Sequence, residues 1–199
     1  MQTVIGITGG TGCGKTTALS ALRELGFFLI DCDALYHRML EEDDALVAAI
    51  GAAFPGTVEQ GRLLRKVLGQ QVFSDPAALE RLNRTVWPHI VRAVRCCIQA
   101  QSPRPCAIDA VGLTESGLAA LCSHTVAITA PEDARVTRLV AREGITPEYA
   151  RLRIRAQKPN DVFAAQCGVT IENHFADAAQ FQAHCKEIFE TILKEDVQS

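Results

Sequence analysis

A chain of 199 residues with a formal net charge of −3 at pH 7 can bury one core with elaborations, and it lacks the excess of Lys and Arg with which proteins neutralise nucleic-acid phosphates. Although 48% of it is apolar, no apolar run approaches the roughly 20 residues of a membrane span, and Met1-Gln2-Thr3-Val4 leads into a β-branched run without the charged and apolar regions of a signal peptide. A cytoplasmic protein with small-molecule partners is therefore expected, with no nucleic acid, no membrane and the oligomeric state left open.

Thr3-Val4-Ile5-Gly6-Ile7 predicts a first strand, and Thr17 to Leu25, apolar at helical spacing, predicts a helix. Between them Gly9-Gly10-Thr11-Gly12-Cys13-Gly14-Lys15-Thr16 fills every fixed position of the P-loop pattern G-x-x-x-x-G-K-S/T. In that context glycines let backbone N–H groups turn around a phosphate, the helix start adds partial positive charge and Lys15 adds a full one. Thr16 is placed to offer its hydroxyl to Mg²⁺ between the β- and γ-phosphates of a nucleoside triphosphate such as ATP. The eight cysteines include no C-x-x-C pair, which removes the usual zinc and dithiol arrangements. Cys106, Cys122 and Cys185 lie in or beside apolar stretches and read as small hydrophobes. Cys13 either contributes only its backbone or, beside Lys15 and a helix start, carries a thiol of lowered pKa whose oxidation would block the loop.

Past Gly26, Phe27 to Ile30 predicts a second strand that closes on Asp31-Cys32-Asp33. Two apart at the end of this strand, Asp31 and Asp33 are expected to share a face and point to the crevice at the carboxyl end of the sheet. Asp33 is then a candidate proton acceptor for a substrate hydroxyl, a candidate N-cap for a helix from Ala34, or both. From Glu41 to Gln101 helical periodicity dominates and no strand is expected. Phe54-Pro55-Gly56-Thr57 reads as a turn, Ser74-Asp75-Pro76 as a helix cap followed by Pro, and Trp87-Pro88 as a break or kink. Arg62, Arg65 and Lys66 form a basic group that alone reads as a solvated face.

Three further strands are expected near Pro105–Asp109, His124–Thr129 and Val169–Asn173. Strands alternating with helices predict an α/β fold with right-handed crossovers. Asp109 ends its strand either as a Walker-B-type acid for Mg²⁺ or as a structural carboxylate. Arg135, Arg138 and Arg142 recur at i, i+3 and i+7 along one helix face, as a lid over a triphosphate or as an exposed stripe. Ala176 to Lys194 predicts a closing amphipathic helix.

Together, Ile7 to Thr16, Ile30 to Asp33, the pattern Gly61-x-Leu63-x-Arg65-x-x-Leu68 running to Val72-Phe73, Leu82-Asn83, Glu115-Ser116-Gly117, Arg138 with Arg142, Gln157 and Ile171-Glu172-Asn173 resemble the dephospho-CoA kinase family. The resemblance implies a P-loop kinase-like parallel sheet of about five strands flanked by helices, with a helical acceptor-binding insertion and a helical lid. It implies a core of residues 1–33, 104–135 and 168–199, an insertion over 34–103 and a lid over 136–167. The implied reaction is ATP-dependent phosphorylation of the ribose 3′-hydroxyl of dephospho-CoA. Asp33 is implied as proton acceptor, Lys15 with Arg138 and Arg142 as catalytic charges, Gly9 to Thr16 and Asn173 as nucleotide contacts, Arg65, Trp87 and Glu115 as acceptor contacts, and Thr16 with Asp109 as metal contacts. The chain departs from the family pattern at Trp87-Pro88 in place of His-Pro, at Val111-Gly112-Leu113-Thr114-Glu115 in place of Pro-Leu-Leu-Phe-Glu, and at Lys158-Pro159-Asn160-Asp161 in place of a stretch with Arg. Another small acceptor, such as a nucleoside monophosphate, and a nucleotide-binding homologue of reduced activity share the same P-loop. A GTPase is disfavoured, since no N-K-x-D guanine-reading motif is present.

Overall fold

Short apolar runs pair side by side into a parallel five-stranded sheet in the computed structural model, which describes residues 2–73 and 75–198. In chain order the elements are β1 (Val4–Thr8), α1 (Lys15–Glu24), β2 (Phe28–Asp31), α2 (Cys32–Glu42), α3 (Asp44–Ala53), β3 (Val58–Glu59), β4 (Arg62–Leu63), α4 (Arg65–Val72) and α5 (Pro76–Gln101). There follow β5 (Cys106–Asp109), a 3-10 turn over Leu118–Leu121, β6 (His124–Thr129), α6 (Glu132–Glu143), α7 (Pro147–Arg155), α8 (Asn160–Ala165), β7 (Val169–Glu172) and α9 (Ala178–Gln198). The sheet order is β2-β5-β1-β6-β7, so β1 is central and the loop leaving its carboxyl end sits mid-sheet. Parallel register places Asp31 opposite Asp109 and Ile7 opposite Asp109, which gathers the ends of β1, β2 and β5 at one edge. This is the edge where open α/β sheets bind ligands.

Alternation along the strands feeds two cores. Ile5, Ile7, Ala107, Val126, Ile128 and Ile171 face α1 and the Phe181, Cys185, Phe189 and Ile192 stripe of α9. On the other face Val4, Ile30, Cys106 and Ile108 meet α2 to α5. Val136, Leu139, Ala150 and Ile154 make a small third core between α6 and α7. Each fully buried Ile, Leu or Phe in these clusters stabilises the fold by roughly 1.5–3 kcal/mol.

Four expectations are corrected. Trp87-Pro88 does not break α5, which runs unbroken across it. The buried stripe Ala78, Leu82, Val86, Ile90 and Val94 repeats every four residues through Pro88, and that packing outweighs the lost hydrogen bond. The stretch expected to be wholly helical contains the β3–β4 hairpin, whose turn residues Gln60 and Gly61 both take positive φ (48° and 76°), the conformation of a two-residue hairpin turn. The cap of α2 is Asp31, whose Oδ1 accepts from the N–H of Ala34 at 2.9 Å, and Asp33 lies inside the first helical turn. The strand face shared by the two carboxylates therefore does not exist. Lastly, Arg135 is not on an exposed stripe, since it is 3% exposed. Asp75 caps α5 and Pro76 opens it, as expected, while Ser74 lies outside the described residues.

Candidate active site

The loop between β1 and α1 is shaped by its glycines. Gly9 has φ of 143°, and a Cβ there would lie 2.2 Å from the carbonyl oxygen of Ile128, so only glycine fits. Gly14, left-handed at φ 105°, precedes α1 without any side-chain cap. Helix starts of this kind offer their leading N–H groups and the positive end of the dipole to an anion. Gly9, Gly10, Thr11, Gly12, Gly14, Lys15 and Thr16 line a cavity of about 440 Å³. Lys15, which lines the cavity, donates from Nζ to Asp109 Oδ1 at 2.8 Å in a partly buried ion pair.

Cys13 is the loop residue that turns inward. It is fully buried, and burial raises its thiol pKa despite the nearby Arg135. Of the two readings of Cys13, the lowered thiol pKa is the one that does not hold, because desolvation of the thiolate wins. Asn173 also stands behind the loop and not in the cavity: it is 3% exposed and its Nδ2 donates to the Cys13 carbonyl at 3.0 Å.

The opposite wall comes from α6 and the α7–α8 connection. Arg138 and Arg142 of α6 line the cavity together with Gln157. Arg138 donates from Nη1 to the Gly12 carbonyl at 3.2 Å and from Nη2 to the carbonyls of Asn173 and Phe175 at 3.3 and 2.9 Å; burial lowers its pKa. Arg142 pairs with Glu143, which Arg153 also meets. The hydrogen bonds from Arg142 and then Arg153 hold the Glu143 carboxyl below its ordinary range. Arg135 lies beneath the loop, with Nε donating to the Thr11 carbonyl at 2.8 Å. Gln157 Oε1 accepts from the Thr11 N–H at 2.7 Å.

A second cavity of about 430 Å³ opens between α2, α4, α5 and the loop after β5. Its lining is mostly apolar, with Asp33, Tyr36, Arg65, Asn83 and Trp87 among the polar or amphipathic groups. Asp33 reaches it from the first turn of α2, whereas Asp31 is spent on the cap. Arg65 Nη2 donates to Glu41 Oε1 at 3.0 Å on its rim. Val111 lines both cavities, so the two adjoin, and Thr8 Oγ1 fixes its position by donating to the Val111 carbonyl at 2.9 Å. Glu115 lines neither; it accepts from Gln166 Nε2 at 3.1 Å and pairs with Lys158.

Among the described residues no three His, Cys, Asp or Glu side chains cluster as a metal cage. Mg²⁺ commonly takes one or two protein oxygens plus waters and substrate phosphates. The hydroxyl of Thr16, in the cavity lining, and the carboxylate of Asp109, which meets the lining residue Lys15, are hard oxygen donors of the kind such an ion takes. A phosphate-cradling loop and an adjoining apolar cavity with one carboxylate make a site for moving a phosphoryl group between two bound molecules.

Residues 3–177 match the family model described as Dephospho-CoA kinase. The chain belongs to the dephospho-CoA kinase family. Among its relatives, the dephospho-CoA kinase of Anaeromyxobacter dehalogenans is 36% identical over 88% of this chain and 86% of its own length. That of Thermus thermophilus is 33% identical over 85% and 82%. A solved structure from Thermus thermophilus superposes with a TM-score of 0.75 at 30% identity over 98% of this chain and 97% of the other. Shikimate kinase from Bacteroides thetaiotaomicron shares the fold alone, at a TM-score of 0.59, 14% identity and coverage of 96% and 98%. The dephospho-CoA kinase match runs from β1 to just before α9, so all elements lining the two cavities fall within it.

The sequence reading brought Asp33, Arg65 and Trp87 to one cavity and Lys15, Thr16, Arg138 and Arg142 to the other. It did not find Val111 as their common wall, Lys158 as the partner of Glu115, or the burial of Arg135. The i, i+3 spacing of Arg135 with Arg138 set its helix face but carried no signal of what covers it.

Proposed function

We propose that this chain transfers the terminal phosphoryl group of ATP to the ribose 3′-hydroxyl of dephospho-CoA, giving CoA and ADP in the last step of CoA biosynthesis, in the cytoplasm. The observation that carries the reading, beside family membership, is that the cavity lined by the loop from Gly9 to Thr16 and the apolar cavity lined by Asp33 share Val111. ATP occupies the first, with its phosphates in the loop from Gly9 to Thr16, and the acceptor occupies the second.

Lys15 leaves Asp109 to meet the phosphates, and its charge counters the negative charge that spreads over the transferring group. Arg142 and Arg138 face the same cavity; Arg142, held among the described residues by neighbouring Glu143 alone, is the freer of the two to swing onto a phosphate. Asp33 accepts the hydrogen bond of the attacking hydroxyl, orients it and takes its proton as the bond to phosphorus forms. A bound Mg²⁺, held by Thr16 and Asp109, would neutralise charge between phosphates. Trp87 offers an aromatic face, and Arg65 a cation at the rim for the acceptor's own phosphates. Asn173 supports the nucleotide site indirectly through the Cys13 carbonyl. Glu115 acts on the acceptor through the lid. The insertion over 34–103 forms the acceptor unit, and residues 136–167 form the lid.

ADP release measured with dephospho-CoA, AMP and adenosine as separate acceptors tests this. Turnover with dephospho-CoA alone is expected. Turnover with AMP and none with dephospho-CoA would reassign the acceptor.

A further inference from the structure

Arg135 is 3% exposed and, among the described residues, has no carboxylate as ion-pair partner. Among the described residues its guanidinium meets neutral oxygens: Nε donates to the Thr11 carbonyl at 2.8 Å, Nη1 to Asn160 Oδ1 at 3.3 Å and Nη2 to Gln157 Oε1 at 3.5 Å. A guanidinium stays charged in a protein interior, and burying it without a counter-ion is strongly unfavourable. Its position near the start of α6, where the helix's own positive end disfavours a cation, adds to that cost. Such a charge is stabilised when an anion comes close, because the low-dielectric surroundings screen it poorly.

The anion's place is set by the geometry. Arg135 is pressed against the phosphate loop: a Cβ on Gly10 would come 2.5 Å from Arg135 Nη2, and one on Gly12 would come 3.0 Å from the Arg135 carbonyl oxygen. In a trans-planar peptide the N–H points opposite to the C=O. By holding the Thr11 carbonyl on its own side, Arg135 turns the Gly12 N–H the other way, and Gly12 lines the phosphate cavity. The same guanidinium reaches Gln157 and Asn160, which belong to the α7–α8 connection and to α8.

We propose that Arg135 is a positioning residue for the nucleotide: its buried, unpaired charge fixes the loop peptide at Thr11–Gly12 for phosphate, is balanced by the bound phosphates, and ties the Gln157–Asn160 segment to the occupied loop. It acts through the loop and does not touch the substrate. This rests on ATP occupying that cavity.

The test compares wild type with Arg135→Lys, which keeps charge and loses the fork, and Arg135→Met, which loses both. The KM for ATP and the rise in Tm on adding ATP report the nucleotide site. Quenching of Trp87, the single tryptophan, reports the acceptor cavity independently. The KM for ATP is expected to rise roughly tenfold or more in Arg135→Met and by about threefold in Arg135→Lys, the scale of a charge-assisted hydrogen bond. The ATP-induced rise in Tm should shrink in the same order while dephospho-CoA binding stays within about twofold. If both variants melt lower without ligand yet keep a wild-type KM for ATP, Arg135 is scaffold only and the proposal fails. Should Arg135→Met not fold, Arg135→Lys decides by the same criterion. Wild type showing no rise in Tm with ATP would overturn the nucleotide-site reading itself, and this proposal with it.

Discussion

Asp31 and Asp33 lie two residues apart, and because α2 begins at Cys32 they serve different ends: Asp31 closes the helix start and Asp33 faces the acceptor cavity. The substitution Asp33→Asn therefore removes charge without touching the cap. Its expected effect is a fall in kcat of roughly 10²-fold or more at saturating ATP and dephospho-CoA, with little change in Tm, the usual scale for a general base. Asp31→Asn keeps an oxygen that can cap, so near-normal turnover is expected. Equal activity of Asp33→Asn and wild type would leave the proton without this acceptor. Lys15→Ala removes the cation of the loop and should lower kcat by roughly 10²-fold or more while the melting transition stays cooperative, since Lys15 bonds to Asp109 and is not a member of the hydrophobic cores. Retained turnover would mean that the loop is not where transfer occurs. The P-loop was legible because it is a local pattern, whereas Asp33 was expected on a strand face and lies in the first turn of α2. Nor was the burial of Arg135 legible, because spacing along a helix gives the face and not what covers it.

Among elements, the connection from α7 to α8 does the linking. Gln157 is bonded to the Thr11 N–H and its neighbour Lys158 to Glu115, so two adjacent residues touch the phosphate loop and the loop after β5 that walls both cavities. Gln166 at the end of α8 donates to the same Glu115 at 3.1 Å. Both partners of the ion pair are partly exposed, so it contributes only about 0.2–1 kcal/mol. Glu115→Gln is thus expected to leave Tm nearly unchanged, to speed hydrogen exchange across residues 157–166, and to raise the KM for dephospho-CoA a few-fold. Unchanged exchange in that segment would show that Glu115 does not hold the lid. The pairing of Lys158 with Glu115 is not a local pattern, since the two lie 43 positions apart. Elements of the insertion were read with similar limits. Helix lengths followed from apolar periodicity, but the β3–β4 hairpin is too short to show alternation, and Gln60-Gly61 lacks the Asn-Gly or Asp-Gly signal of such turns. Of the break or kink expected at Pro88, the break is absent, because the buried stripe holds α5 together across it.

For the whole molecule, the strands and their alternation with helices were readable, since parallel strands joined by crossovers carry long apolar signatures. The order β2-β5-β1-β6-β7 and the meeting of two cavities depend on tertiary placement, which no single segment encodes. The cysteines show the same division: Cys106 and Cys185 were expected as small hydrophobes and are fully buried, and Cys32 is buried as well. That burial makes a prediction for the folded state as a unit. Desolvation pushes the thiols of Cys32 and Cys185 from 9.0 up to about 12, and the half-buried Cys122 likewise. Unfolded thiols ionise near their ordinary value while the folded ones keep their protons, so between these limits the native state binds more protons than the unfolded one. Stability is then complete below about pH 9 and falls as pH rises toward 12, by about 1.4 kcal/mol per thiol at one unit above the unfolded pKa. Tyr36, also raised by burial, adds to the decline with the same sign. Urea unfolding under reducing conditions at pH 8 and pH 10 checks this by comparing wild type with Cys185→Ala. The variant loses some packing at both pH values, yet its loss of stability between them should be smaller by about 1.4 kcal/mol, since one titrating thiol is gone. An identical decline in the two proteins would show that Cys185 ionises in the folded state as readily as in the unfolded chain, and that α9 does not seal it from water.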